Sequence, residues 1–220
     1  MFLGLIICYY VYKPMFNGIT LKAFNIFCCC CALFLLSACN TLPKTELVPV
    51  HVNQITDAKA WEVRGKILIK TADDKHSTNL YWRHTATSEQ LALTTMLGTS
   101  VLNLESTPFG AKLTMDGKDY QSKNPEALLL RMTGWSIPVS LLPSWITGQT
   151  QQAEHLTRDG QGRPRQLTKI IDGVKWQLTY SRWQTLNGIE LPKLLTLSRP
   201  NLSLKIQLNQ WQALAVQGSK

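Results

Sequence analysis

In Leu36-Ser37-Ala38-Cys39, residue type and spacing together point to a covalent chemistry. An eleven-residue apolar run, Ile26 to Leu36, ends there in two small residues and a thiol. A secretory core of roughly 7–15 apolar residues closed by small residues marks a removable leader. A cysteine directly after the small pair resembles the site at which bacterial signal peptidase II cuts, in front of a residue whose sulfur carries lipid. Residues 1–38 are therefore expected to be a lipoprotein signal peptide, with Cys39 as the lipid attachment point. A spanning helix needs about 20 apolar residues, and Asn17, Lys22 and Asn25 interrupt any extension upstream. Met1 to Tyr12 adds a second apolar stretch before Lys13, whereas initiation at Met15 would give a conventional short leader carrying Lys22.

Other chemistry finds little footing. His51, His76, His84 and His155 lack ligand-like spacing, and all six cysteines (Cys8, Cys28, Cys29, Cys30, Cys31, Cys39) lie at or before the cleavage point. No metal site or cofactor is expected, and no disulfide in the mature chain. There is no Gly-x-Ser-x-Gly elbow or phosphate-cradling glycine loop, and Gly160-Gln161-Gly162 reads as a turn. Glu62, Glu105, Asp116 and Glu190 fall at outward or turn positions, where solvation is the default. The reading is not an enzyme.

Removing 38 of the 220 residues leaves 182, enough for one domain that buries roughly 70% of its unfolded surface. The net charge of +9 drops by Lys13 and Lys22 to +7. Such a surplus suits an acidic partner or an anionic surface. Nucleic acid is not expected, because the basic residues are scattered without a long run. Arg64, Lys66, Lys112 and Arg131 are candidates for steering a partner or head groups toward the mouth of the domain.

The elements that must carry these residues are mainly strands. Residues 39–60 contain Pro43 and Pro49 and read as a lipidated tether, followed by one domain over 61–214. From Trp61 onward apolar and polar residues alternate: Trp61, Val63, Ile67 and Ile69, then Leu80 and Trp82, Leu91 and Leu93, Leu102 and Leu104, Leu113 and Met115. Val174, Trp176, Leu178 and Tyr180 repeat the period, as do Leu202, Leu204, Ile206 and Leu208. Asp116-Gly117, Asp159-Gly160, Asp172-Gly173, Asn187-Gly188 and Arg199-Pro200-Asn201 supply the turns. About ten or eleven antiparallel strands follow, best arranged as a barrel or strongly curved sheet, which limits exposed edges.

Two segments depart from that pattern. Asn124-Pro125-Glu126 has the order of an N-cap, a first-turn proline and a first-turn acid, and starts a short, very apolar helix ending at Gly134. With the apolar residues that follow to Gly148, it is either a plug completing the core or a lid over an apolar cavity. The second is Met96-Leu97-Gly98-Thr99, a tight turn with apolar residues where polar ones are usual. Met96 and Leu97 either fold back onto the end of the sheet or meet a membrane or partner.

The order Trp61-x-x-x-Gly65-Lys66, Leu80-x-Trp82, Leu97-Gly98, Gly134-x-x-Ile137-Pro138, Trp145-Ile146-x-Gly148, Trp176-x-x-x-Tyr180, Leu191-Pro192 and Trp211 resembles the LolB family of outer-membrane lipoprotein receptors of Gram-negative bacteria. The resemblance runs from the lipidation site to Trp211. It implies a half-open antiparallel β-barrel of about eleven strands, with a short helical lid over an apolar cavity. It also implies a monomeric receptor that takes lipoproteins from the periplasmic carrier LolA and places their acyl chains in the inner leaflet of the outer membrane. By that likeness Met96, Leu97 and Gly98 form the membrane-insertion loop. Cavity and lid would draw on Trp82, Leu93, Leu102, Leu113, Leu129, Met132, Trp135, Ile137, Leu141, Trp145, Ile146, Trp176, Leu178 and Tyr180. A lipid-anchored, lipocalin-like binder of small apolar ligands and a structural lipoprotein with a filled barrel are the alternatives.

Overall fold

The structure is a computed structural model that describes residues 46–217 except Gln152; the leader, Cys39 and the first part of the expected tether lie outside the described residues. Twelve strands form one antiparallel sheet: β1 (Leu47–Val50), β2 (Ala60–Thr71), β3 (Lys75–His84), β4 (Glu89–Thr94), β5 (Ser100–Thr107), β6 (Gly110–Met115), β7 (Lys118–Ser122), β8 (His155–Arg158), β9 (Pro164–Ile171), β10 (Val174–Leu186), β11 (Ile189–Arg199) and β12 (Leu202–Val216). Their spatial order is 7-6-5-4-3-2-12-11-10-9-8, with β1 added to β12. Strands 7 and 8 do not pair, so among the described residues the sheet curves without closing.

The two-residue hairpins form as their sequences demand. Asp116, Asp172 and Asn187 take left-handed φ values of 51°, 49° and 51°, each followed by a glycine at 71°, 77° and 82°. That is the mirror-image turn whose twist matches paired strands. Asp159-Gly160 instead opens a longer loop. The Asp159 carboxylate accepts from the backbone N–H groups of Gln161 and Arg163, at 2.9 and 3.0 Å, and the left-handed residue is Gly162.

The expected period-2 faces bury as one core, with Trp61, Val63, Leu80, Trp82, Leu93, Leu102, Leu113, Trp176, Leu178, Leu204 and Ile206 all inward. Alternation in β12 shifts phase at an irregularity between Leu208 and Gln210, after which Trp211 and Ala213 turn inward. Gly65 of β2 faces that irregularity so closely that a Cβ there would overlap the Gln207 carbonyl oxygen. A bulge of this kind re-aims every later side chain.

The segment expected to be a tether up to residue 60 contains β1. Leu47–Val50 pairs with Val216–Ala213, on the side of β12 that β11 leaves after Leu194. Pro49 is tolerated because this short strand lies at an edge. Between the stretches covered by β11 and β1, side chains serve the β12 backbone. Gln184 donates to the Leu208 carbonyl at 2.9 Å, and Asn187 donates to that of Trp211. One cross-strand row then runs without a break from Val50 through Ala213, Trp61, His84, Glu89, Ser106 and Ala111 to Ser122.

Two helices follow β7: α1 (Pro125–Thr133) and α2 (Leu142–Ile146). Asn124 caps α1 by accepting from Ala127 N–H at 2.8 Å, and Gly134 ends it at φ 74° with its N–H on the Leu130 carbonyl. Pro143 occupies the first turn of α2, where its missing N–H costs nothing.

Candidate functional site

A narrow slot of about 20 Å³ lies between the inner face of the sheet and the helical segment. Its floor is Ile67 and Ile69 of β2, Leu80 and Trp82 of β3, Leu91 and Leu93 of β4, Leu102 of β5, and Leu204 and Ile206 of β12. Its roof is Leu129 of α1, the connecting residues Trp135, Ile137 and Val139, and Leu142 of α2. Every lining residue is apolar. Such a surface offers no site-specific hydrogen bond to a ligand, and a charge placed there would be left unpaired at high cost. The volume holds about one water-sized sphere.

Of the expected cavity residues, the structure brings together Trp82, Leu93, Leu102, Leu129, Trp135 and Ile137 around the slot. Leu113, Trp145, Ile146, Trp176, Leu178 and Tyr180 are buried in the surrounding core instead, with the half-buried Met132 and Leu141 packed against it. The reason is positional: Trp176, Leu178 and Tyr180 belong to β10, beyond β11, while α2 lies against β11. Ile67, Ile69, Leu80, Leu91, Val139, Leu142, Leu204 and Ile206 line the slot without having been singled out. Their signal was present in the alternation of β2, β3, β4 and β12, since any inward residue beneath the helical segment is a candidate.

The roof is fastened at one side. Tyr180 donates its hydroxyl to the Trp145 carbonyl at 2.9 Å, and burial holds its phenol well above the ordinary 10. Tyr180 and Trp183 pack with ring centres 5.4 Å apart. Gly148, at φ 79°, lies against Trp183 so tightly that a Cβ there would stand 2.8 Å from the ring. The guanidinium of Arg163 covers the same ring at 5.7 Å while pairing with Asp159 and Glu190 at 2.7 and 3.2 Å. The hydrogen bonds from Arg163 hold the Asp159 carboxyl below the usual carboxylate range. At the other side Trp135 is half-buried, and the ring of His76 tilts against it at 6.0 Å.

Below the slot, the Trp82 indole donates to Glu89 at 2.7 Å, and His84 Nδ1 meets the other carboxylate oxygen at 2.6 Å. Trp61 stacks on the His84 ring at 5.0 Å. Glu89 therefore satisfies the one polar side-chain atom of Trp82, and no local signal in the sequence marked this carboxylate.

The turn between β4 and β5 projects from the sheet. Leu97 is 96% exposed and Met96 67%, so neither folds back. The turn itself is fixed: Thr95 N–H donates to the Thr99 carbonyl at 2.8 Å, Gly98 N–H to that of Thr95 at 3.0 Å, and Asn79 braces the same Thr95 oxygen at 3.0 Å. Gly98 sits at φ 85°, a conformation that disfavours side chains. Among the steering candidates, Arg64 covers the Tyr81 ring at 4.7 Å, Lys112 pairs with Asp119 at 2.9 Å, and Arg131 reaches the Gln121 carbonyl at 3.4 Å.

The family model described as "Outer membrane lipoprotein LolB" matches residues 59–211. The chain is 50% identical over 204 residues to the outer-membrane lipoprotein LolB of Shewanella baltica strain OS155, covering 92% of this chain and 91% of that protein. It is 50% identical over 185 residues to the protein of the same name from Shewanella woodyi, covering 84% and 87%. Among solved structures, the LolA superfamily protein NE2245 from Nitrosomonas europaea aligns with a TM-score of 0.47 at 8% identity, covering 70% of this chain and 86% of that one. The family match spans the sheet from the start of β2 through Trp211 together with both helices, and on it the chain belongs to the LolB family of outer-membrane lipoproteins.

Proposed function

We propose that this protein, anchored in the outer membrane through lipid on Cys39, accepts lipoproteins from the soluble carrier LolA and sets their acyl chains into the inner leaflet. Leu97 carries the reading: a leucine 96% exposed on a braced turn has no role in the core and suits contact with hydrocarbon. The all-apolar slot supports it from the other side, as the place where a chain would be held before release.

Physics explains the need. An acyl chain of some 14 buried methylenes is worth on the order of 11 kcal/mol at about 0.8 per methylene. Bare chains therefore do not cross an aqueous space, and each acceptor has to bury them in turn. Transfer runs without nucleotide hydrolysis if every acceptor buries the chains better than the donor.

Leu97→Glu tests this. Folding should change by no more than roughly 0.5 kcal/mol, as for surface substitutions generally. Uptake from the carrier should persist while insertion into liposomes stalls, because a carboxylate resists the hydrocarbon region. Uptake and insertion falling together with the melting temperature would refute the role given to the tip. The small volume of the slot favours the filled-barrel alternative; folded wild-type protein that takes up no lipoprotein from the loaded carrier would support it.

A further inference from the structure

Four exposed lysines stand together on the outer face of the sheet, at the end from which Leu97 projects: Lys66 and Lys70 of β2, Lys75 of β3 and Lys205 of β12. We propose that they form a docking surface for anionic phospholipid head groups, engaged as the Leu97 tip reaches the bilayer. The inference deepens the proposed function and rests on its reading of Leu97 as a bilayer contact.

The register of the sheet assembles the cluster. Lys70 and Lys75 are direct cross-strand partners, a placement in which like charges repel. Lys205 pairs with Leu68 and so stands diagonal to both Lys66 and Lys70, a neighbour spacing of about 7–8 Å. All alternate with the buried Ile67, Ile69, Leu204 and Ile206 or pair with residues that do, which puts them on the outer face. The same register ties them to the tip. Lys66 pairs with Asn79 and Asn79 with Thr94, while the Asn79 side chain holds the Thr95 carbonyl at the foot of the turn. Beyond that row Leu97 lies three residues past Thr94, Lys70 four past Lys66, and Lys75 four before Asn79 on the antiparallel strand. Tip and lysines therefore leave the row in the same direction.

Among the described residues, none of the four pairs with a carboxylate. The acids nearest in sequence are Asp73 and Asp74, in the turn between β2 and β3. The Asp74 carboxylate accepts from the Lys75 backbone N–H at 2.8 Å and meets His76 at 2.9 Å, on the side of the sheet where the His76 ring faces Trp135. Asp73 is exposed, so four positive charges stand against two negative ones. The residues set among the lysines are Ser77, Ser203 and the half-buried Leu68. Such a patch lacks the aromatic anchors on which protein interfaces depend. A head-group layer needs only charge, and each lysine near an anionic leaflet is worth roughly fivefold in binding.

The chain from residue 39 on would be exported behind a cleavable leader as Cys39→Ala, which keeps every described residue while no lipid of its own holds it to a membrane. Flotation with phosphatidylcholine vesicles, with and without phosphatidylglycerol, reads the binding of this empty protein. It should bind better when phosphatidylglycerol is present. Combining Lys70→Gln, Lys75→Gln and Lys205→Gln should cost about a hundredfold there, at roughly fivefold for each lysine, with an unchanged melting temperature. Removing three exposed cations elsewhere, by Lys59→Gln, Lys123→Gln and Arg165→Gln, should cost far less, and Asp73→Asn should strengthen binding. Equal losses in the two triple variants, or binding indifferent to phosphatidylglycerol, overturn the proposal. So does a Lys70, Lys75 and Lys205 variant that binds vesicles as before but no longer takes cargo from the carrier, since the patch would then serve a protein. Failure of the Leu97 reading shows separately: Leu97→Glu that still inserts cargo into liposomes removes the tip from the account, while lysine-dependent vesicle binding would still establish the patch.

Discussion

The Tyr180 hydroxyl lies 2.9 Å from the carbonyl oxygen of Trp145, thirty-five positions earlier, joining the second helix to the sheet through a single buried hydrogen bond. Tyr180→Phe removes the donor and leaves that carbonyl with only the Gly148 N–H, at 3.1 Å, which should cost about 0.5–1.5 kcal/mol in urea unfolding. The same phenol sets an alkaline limit. In the unfolded chain it ionises near 10, while burial keeps it neutral to higher pH in the folded one. Its contribution is therefore intact below pH 10 and lost as pH rises beyond, so Tyr180→Phe should flatten the alkaline fall in stability.

Gly65→Ala should destabilise more than any ordinary glycine-to-alanine change in a strand. The new methyl has nowhere to go but into the backbone of β12 at its irregularity. A loss well above 1 kcal/mol is expected, with altered packing of Trp211 visible in its fluorescence. A stability change under 0.5 kcal/mol would show that the two strands separate freely there.

Leu129→Glu places a carboxylate in the roof of the slot. Acyl-probe uptake should fall much further than the fraction of folded protein, measured by circular dichroism on the same sample. If both fall in step, the helical segment serves as a core plug and not as a lid.

Cargo transfer from the carrier should slow as salt rises beyond physiological strength, where the screening length drops below about 8 Å. The effect belongs to the association rate, and it should be modest. Lys112 is already paired with Asp119, and Arg64 lies over Tyr81. A rate independent of salt would remove steering from the account.

How much of this was legible beforehand depends on whether the information was local. The hairpins at Asp116, Asp172 and Asn187 were readable because left-handed backbone admits few residues, and the capped helix because Asn124 and Pro125 act within one turn. Strand β1 was missed because its partner, Val216 to Ala213, lies far along the chain and Pro49 reads as a breaker. The slot was half legible for the same reason: inward positions follow from alternation, but which of them lie under the helices depends on strand order. Trp176 and Tyr180 are as apolar and as inward as Trp82, yet they stand on β10, away from the slot. The exposure of Leu97 could not be decided from its type, since a turn leucine can fold back or point out.

A roof that closes on about 20 Å³ has a thermodynamic consequence for any chain it takes in. The state with room for several methylenes is a minority state of the empty protein, so the apparent affinity is the intrinsic one reduced by that state's population. Closure therefore weakens capture and strengthens ejection by the same factor. An intermediate in a relay gains from this: it must win cargo from one apolar site and then lose it to a bilayer, and a resting state that favours being empty supplies part of the second step. Variants that prop the roof open should hold cargo longer and deliver it more slowly.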